Sequence, residues 1–429
     1  MAMKKIAITL ALSVLASVSV FAAVTLDDCL EKAEENYPLI KKYGLIERTA
    51  RLALSDINKS WLPRIGVYGQ TTVQNVVPEF PQSLDEMLTQ LGQDVRGLGR
   101  VQYKAGVDVT QTIWDGGAAR AERKIEQVSS AERQAAVAVQ IYAIREKVMD
   151  LYFGILLMDE QIARTESTVA LLDANLALMR SLLAGGVAMQ SDVDMVEAQM
   201  LDMTQQLVSA RSAAKAYRDV LSIYVGESLD GQELARPDAA MPSGFESERP
   251  ELALFDAQTR LNSARAAAVE SSVMPRAGFF AQGYYGYPGI NYFESMMKRD
   301  LSFNLLAGIK ISWNIDSFYT KRNSERRLAL ESDNIENDRD VFLYNTRLRA
   351  AAQIEEIEGV RAVMAEDARI VALRSNVRLA AESQLKNGVI DATALLAKIT
   401  DENRARLMAA YHEIQLIQNI YKLKNTLNR

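Results

Sequence analysis

The chain has 429 residues, of which 48% are hydrophobic and 24% charged, with a formal net charge of −6. The apolar content suffices for a buried core, and the lack of any basic patch excludes a nucleic-acid binder. The only cysteine, Cys29, rules out an internal disulfide, and the only histidine, His412, rules out a site built from several His or Cys ligands.

The first 23 residues read as a secretory signal. Lys4 and Lys5 form a positive start, Ile6 to Val20 is apolar or small, and Phe21-Ala22-Ala23 supplies small residues for cleavage. Cys29 follows Leu26-Asp27-Asp28, which is unlike the small apolar end of a lipoprotein signal, so no lipid anchor is expected. Beyond this stretch no continuous apolar run reaches the ~20 residues of a spanning helix.

A helix leads to Pro63, and strict alternation follows. Ile65, Val67, Thr71 and Val73 oppose Gly66, Tyr68, Gln70, Thr72 and Gln74. A loop over 76–100 comes next, with Ser83 to Gly92 reading as a short helix. In the next strand Val101, Tyr103, Ala105, Val107, Val109 and Ile113 oppose Gln102, Lys104, Asp108, Thr110 and Thr112. The strand ends in Trp114-Asp115-Gly116-Gly117, which reads as a turn. A phosphate cradle would need a Gly-Lys-Ser/Thr ending.

From Val137 to Leu183 apolar residues keep 4-3 spacing, interrupted only by Thr165, and Val193 to Tyr224 continues the habit. Sustained heptads predict coiled-coil packing. A helix from Ala118 to Leu183 would be about 100 Å long at ~1.5 Å per residue. Gly185-Gly186-Val187 joins the two helices, because glycine accepts the positive φ that ends a helix. A polar stretch over 226–247, with Pro237, Pro242 and Gly244, reads as a linker.

The rest of the chain repeats this order. At a shift of 212 positions Pro38 falls on Pro250, Pro63 on Pro275, Arg64 on Arg276 and Gln70 on Gln282; at a shift of 202, Gly106 falls on Gly308, Gly186 on Gly388 and Val187 on Val389. The predicted organisation is therefore a first repeat over 24–225, the linker over 226–247, and a second repeat over 248–429. The second repeat has strands at Arg276 to Tyr287 and Leu301 to Asn314. A long helix spans Phe318 to Lys386, and Asn387-Gly388-Val389 leads to a last helix.

Strands of about 12 residues exceed the usual ~5–6 of globular sheets and match the ~9–11 of membrane strands. Tyr284, Tyr285 and Tyr287 at one end, with Trp114 and Trp313 at the other, resemble the aromatic girdles of membrane barrels. Four strands cannot close a barrel, since the smallest use about 8. Chains must then share one, and three copies would supply 12 strands. The hairpin tips Gly185, Gly186 and Val187, and Asn387, Gly388 and Val389, are candidate docking points, with plain turns as the alternative.

Four features together resemble the TolC-like outer-membrane efflux protein family over nearly the whole mature chain. They are the duplicated order, the pair Trp61-Leu62-Pro63-Arg64 and Val273-Met274-Pro275-Arg276, the strand-to-helix junction Trp114-Asp115-Gly116-Gly117, and the two glycine tips. The resemblance implies an α+β membrane protein. It would be a homotrimer with a 12-stranded β-barrel in outer-membrane lipid of a Gram-negative bacterium, continued by a helical coiled-coil barrel in the periplasm. It also implies passive export driven by an inner-membrane transporter through a periplasmic adaptor protein, in tripartite efflux or type I secretion.

Gate or latch positions implied by the resemblance are Asp192, Asp391, Ala394 and Ala397. Lys398 beside the last two departs from the aspartate rings of some relatives, and Asp316-Ser317 replaces Asp-Gly-Gly in the second repeat. No catalytic residue, metal site or cofactor is expected, since neither Cys29 nor His412 has a motif around it. A soluble periplasmic coiled-coil scaffold or adaptor protein is the alternative, and it leaves four long strands with apolar faces unexplained.

Overall fold

A computed structural model describes residues 23–92 and 97–429. The signal reading over 1–23 lies, apart from Ala23, outside the described residues. The elements, in chain order, are α1 (Leu26–Asn36), a 3-10 turn (Pro38–Ile40), α2 (Lys41–Lys59), β1 (Arg64–Val73), α3 (Gln82–Gln90), β2 (Val101–Trp114), α4 (Ala118–Tyr142) and α5 (Ile144–Ala184). They continue with α6 (Gln190–Val225), α7 (Pro250–Ser272), β3 (Arg276–Tyr287), α8 (Tyr292–Met297), β4 (Ser302–Ser312), α9 (Ser317–Lys386) and α10 (Ala392–Leu427).

The chain divides into two packed units. One takes the residues up to Tyr43, Ala135–Ala253 and Asp338–Arg429; the other takes Gly44–Gln134 and Leu254–Asn337. Each unit draws segments from both sequence repeats.

The second unit holds one antiparallel sheet in the order β1-β2-β3-β4. The register places Ile65, Val109, Ala281 and Ala307 in one row, and Val67, Val107, Gly283 and Leu305 in the next. This face carries no charged side chain and is bare: Val67 is 84% exposed, Phe303 73% and Ile309 71%. The opposite face carries Gln70, Lys104 and Ser302 in one row and Asp108 with Gln282 in another. A bulge at Thr112/Trp114 brings Trp114 opposite Ala277, on the apolar face. Among the described residues no strand lies beside the outer edges of β1 and β4.

The aromatic girdle is only partly as expected. Tyr103, Tyr285, Trp114 and Trp313 are exposed, but Tyr284 and Tyr287 are buried. The loops after β1 and β3 fold back at that end. Leu98, Tyr287 and Met296 form a small core with Val77 and Phe80. Gly99 N donates to Tyr287 Oη at 2.7 Å, and Ile290 N donates to Asn304 Oδ1 at 2.7 Å. Asn304, Gln102 and Tyr284 all point to the polar face and are buried there, so the loops cover that end of the polar face.

In the first unit every position of the heptad series from Val137 to Leu183 is buried or half-buried, Thr165 included. Its α5 seam packs against α6, where Val193, Val196, Met203, Leu207, Ala210, Ala214 and Leu221 are buried. Tyr217 breaks that pattern, 39% exposed, with its ring over Gly154. Residues 118–184 do contain one window long and apolar enough to cross a bilayer by composition alone. From residue 137 on, the apolar side chains serve the coiled-coil seam.

A second core surrounds Cys29, Tyr152 and Phe153. Tyr152 Oη lies 2.8 Å from Val24 O and 2.6 Å from Ala235 O, and Val24 pairs with Leu234 as a parallel bridge. The segment after α6 is thereby tied to the residues just before α1. Burial raises the Cys29 thiol to about 11, keeping it neutral in this core. Where α4 gives way to α5, Tyr142 Oη donates to Asn425 O at 2.5 Å, and the Arg145 and Arg249 guanidinium groups stack on its ring.

Gly116 has φ +71°, and a Cβ there would lie 2.5 Å from Met274 Cβ; Gly117 has φ +87° and open space around it. Gly116→Ala should therefore cost about 2–4 kcal/mol, combining strain with overpacking, and Gly117→Ala only about 1 kcal/mol. Thermal unfolding of the two variants, followed by circular dichroism, checks this. Equal losses would count against the close packing at Met274.

Candidate functional site

The two tips have the same backbone chemistry. In the first, Gly186 N donates to Leu183 O and Val187 N to Leu182 O; in the second, Gly388 N donates to Leu385 O and Val389 N to Gln384 O. Gly186 and Gly388 take φ +74° and +70°. Each is a glycine-terminated helix end that satisfies the last carbonyls. Asn387 adds a bond from Nδ2 to Ser383 O. Val187, Met189 and Val389 are about 70% exposed, so both tips present apolar side chains.

Asp192 and Asp391 both cap helices. Asp192 Oδ2 accepts from Met189 N at 2.9 Å, while Asp391 Oδ1 accepts from Ala394 N at 2.8 Å. At the 202 shift Met189 corresponds to Asp391 and Asp192 to Ala394. Each repeat thus keeps one half of a reciprocal capping box. Ala394 is half-buried, Ala397 is exposed, and Leu395 and Leu396 between them are buried. Thr393 Oγ1 donates to Met195 Sδ at 3.2 Å, linking the two hairpins.

At the strand junction, Asp115 accepts from Gly117 N at 2.8 Å and Ala119 N at 2.6 Å, capping α4. Met274 abuts Gly116, and Trp313 Nε1 donates to Val273 O at 2.9 Å. Both junctions therefore grip the segment before β3.

Sequence reasoning missed an ionic cluster. Glu402 on α10, 4% exposed, accepts from Ser375 and Arg378 on α9 and from Arg406 on its own helix. Next to it Thr168 Oγ1 donates to Asn403 Oδ1 at 2.8 Å, joining α5 to α10. A cavity of about 260 Å³ lies between these residues and Arg164. The i,i+4 pairs Arg378–Glu382 and Glu402–Arg406 are visible in the sequence. Their meeting across two helices is not. His412, which has no motif, sits 2.8 Å from Asp367 by Nδ1.

Burial alone would raise the Glu402 carboxyl, but bonds from Ser375, Arg406 and Arg378 outweigh it and hold the group below its ordinary value of 4.5. A depressed folded value stabilises above 4.5, and that contribution is lost as pH falls through the folded value. Glu402→Ala should cost about 2–3 kcal/mol at neutral pH, because Arg378 loses one of its two carboxylate partners while Glu382 remains, and Ser375 and Arg406 lose their acceptor. The gap to the parent should shrink as pH drops below about 4.5. Unfolding measured across pH 3 to 7 tests this, and a gap constant with pH would refute it.

Residues 30–227 match the family model described as outer membrane efflux protein. No curated protein sequence matches the chain. Among solved structures, the OprN outer-membrane channel is similar over 94% of this chain and 89% of its own, at 14% identity and a TM-score of 0.67. VceC, an outer membrane protein of Vibrio cholerae, is similar over 94% and 95%, at 10% identity and a TM-score of 0.67. The open state of the MtrE outer membrane channel of Neisseria gonorrhoeae is similar over 96% and 93%, at 14% identity and a TM-score of 0.66. At these identities, what is shared is the fold.

Proposed function

We propose that this chain, which over residues 30–227 matches the outer membrane efflux protein family model, is a passive exit duct across the outer membrane, serving a tripartite efflux or type I secretion system. The observation that carries this reading is the sheet, which is bare and uncharged on one face, polar on the other, and open at both edges. In lipid, each unpaired backbone group at such an edge costs several kcal/mol. Three copies joined edge to edge would close about 12 strands, within the range of membrane barrels. The apolar face then meets lipid and the polar face lines water, with the helices in the periplasm.

The two sequence repeats act here as two halves of one subunit, joined by the linker over 226–247. The exposed tips around Gly185, Gly186, Val187, Asn387, Gly388 and Val389 are the docking points for a periplasmic adaptor, through which an inner-membrane transporter supplies the energy. Asp192, Asp391, Ala394 and Ala397 lie beside these tips, where a closure would act. Capping by the two aspartates supports a role in keeping the tip turns rigid.

Ile309→Arg should hamper trimer assembly far more than Ser312→Arg. A charge at the bilayer midplane costs ~2–4 kcal/mol, and one on the water face far less. Trimer yield from detergent-extracted membranes measures the difference, and equal yields would sink the assigned faces. For the tips, a photo-crosslinker at Val187 or Val389 should capture an adaptor in intact cells. No adduct at either position would overturn the docking role.

A further inference from the structure

The polar face of the sheet is strongly cationic in a chain that is acidic overall. Its strand residues include Arg64, Lys104, Arg276 and Lys310 against a single carboxylate, Asp108. Asp108 already accepts from Gln282 Nε2 at 2.9 Å, and Lys104 lies over the Tyr284 ring at the loop-covered end. The other three cations gather at the opposite end, beside the strand-helix junctions. Arg276 pairs with Ser312, Lys310 with Gly278, and Arg64 shares a row with Thr110, Phe280 and Gly308.

These three rows span only about 14 Å along the strands. That is comparable to the ~8–10 Å screening length of physiological salt, so their fields overlap. All three side chains are exposed, and none makes an ion pair among the described residues. Arg64 and Arg276 are equivalent positions of the two repeats, so the charge recurs around the wall. The lipid-facing rows carry no charge at all.

We propose that Arg64, Arg276 and Lys310 form a cationic collar in the junction-side end of the barrel, which favours anionic solutes over cationic ones. The inference rests on the face assignment of the duct reading. A passage lined by one sign of charge between low-dielectric walls concentrates ions of the other sign by ~10–10³-fold. The cargo class it fits is small organic or inorganic anions, or solutes that present a carboxylate, sulfonate or phosphate.

The test uses Ser312→Cys in the full chain, assembled in membranes. Cys29 is fully buried and stays silent. Two membrane-impermeant methanethiosulfonates are compared, one carrying a sulfonate and one a trimethylammonium group, and their rate ratio is referred to a free thiol in the same buffer. The anionic reagent should be favoured about 10-fold, the low end of such focusing. Arg276→Gln with Lys310→Gln should remove most of that preference, and Lys310→Gln alone part of it. A ratio equal to the free thiol's, or one unmoved by the substitutions, would overturn the collar and leave the duct standing. If Ser312→Cys is inert while Ile311→Cys reacts, the faces are reversed and the duct reading falls together with the collar.

Discussion

The constraint on which the rest depends is the backbone of β1 and β4. Strands of ten and eleven residues each leave one edge without a partner among the described residues. Soluble proteins blunt such edges with charges, prolines or a covering element. Here β1 and β4 have no proline, and one face carries mainly Ile, Val, Phe and Leu, with Gly69, Thr71 and Ala307 between them. An edge of this kind is finished only by another strand, and a bare apolar face only by lipid or by another apolar surface. Length, face and edge thus give a single reason for a barrel shared between chains.

The helical unit is incomplete in the same sense. The α5 and α6 seam satisfies itself, but α9 leaves Val341, Tyr344, Leu348, Val363, Ile370, Leu373 and Val377 about half exposed. A helix with an uncovered apolar stripe packs on a neighbour when one is present. Within the chain α9 meets α10 through apolar side chains, Ala350 and Ile357 against Ile420, Leu423 and Leu427, and through polar ties, Glu402 to Arg378 and Ser375 and His412 to Asp367. Such buried ionic contacts add less net stability than apolar ones, but they tolerate few alternative registers.

The two stretches that share one residue order keep some local features and not others. Backbone geometry at the tips is the same, down to the carbonyls that accept from Val187 and Val389. The capping side chain has moved from one end of the box to the other, from Asp192 to Asp391. The junctions have diverged further. Asp115 caps α4 through Gly117 N, whereas the second junction relies on Trp313, which bonds Val273 O and packs edge-on against Phe318. Either route fixes the angle between a strand and the helix after it.

Much of the architecture was legible in residue order, because periodicity is a local property. Alternation at Ile65 to Val73 and heptads from Val137 to Leu183 each follow from the geometry of one element. Strand limits, the tips and the short helix in the first loop followed to within a few residues for the same reason. Long-range placement was not legible. Tyr284 and Tyr287 looked like girdle residues and are buried, because the loops after β1 and β3 fold back over that end of the sheet. The bonds of Asp192 and Asp391, the gate or latch candidates, to their own helix ends came only from the structure. The Glu402 cluster and the collar of Arg64, Arg276 and Lys310 arise only when helices cross and strands pair. Residue spacing says which side of its own element a side chain occupies; strand register and helix packing decide which distant side chains it meets there.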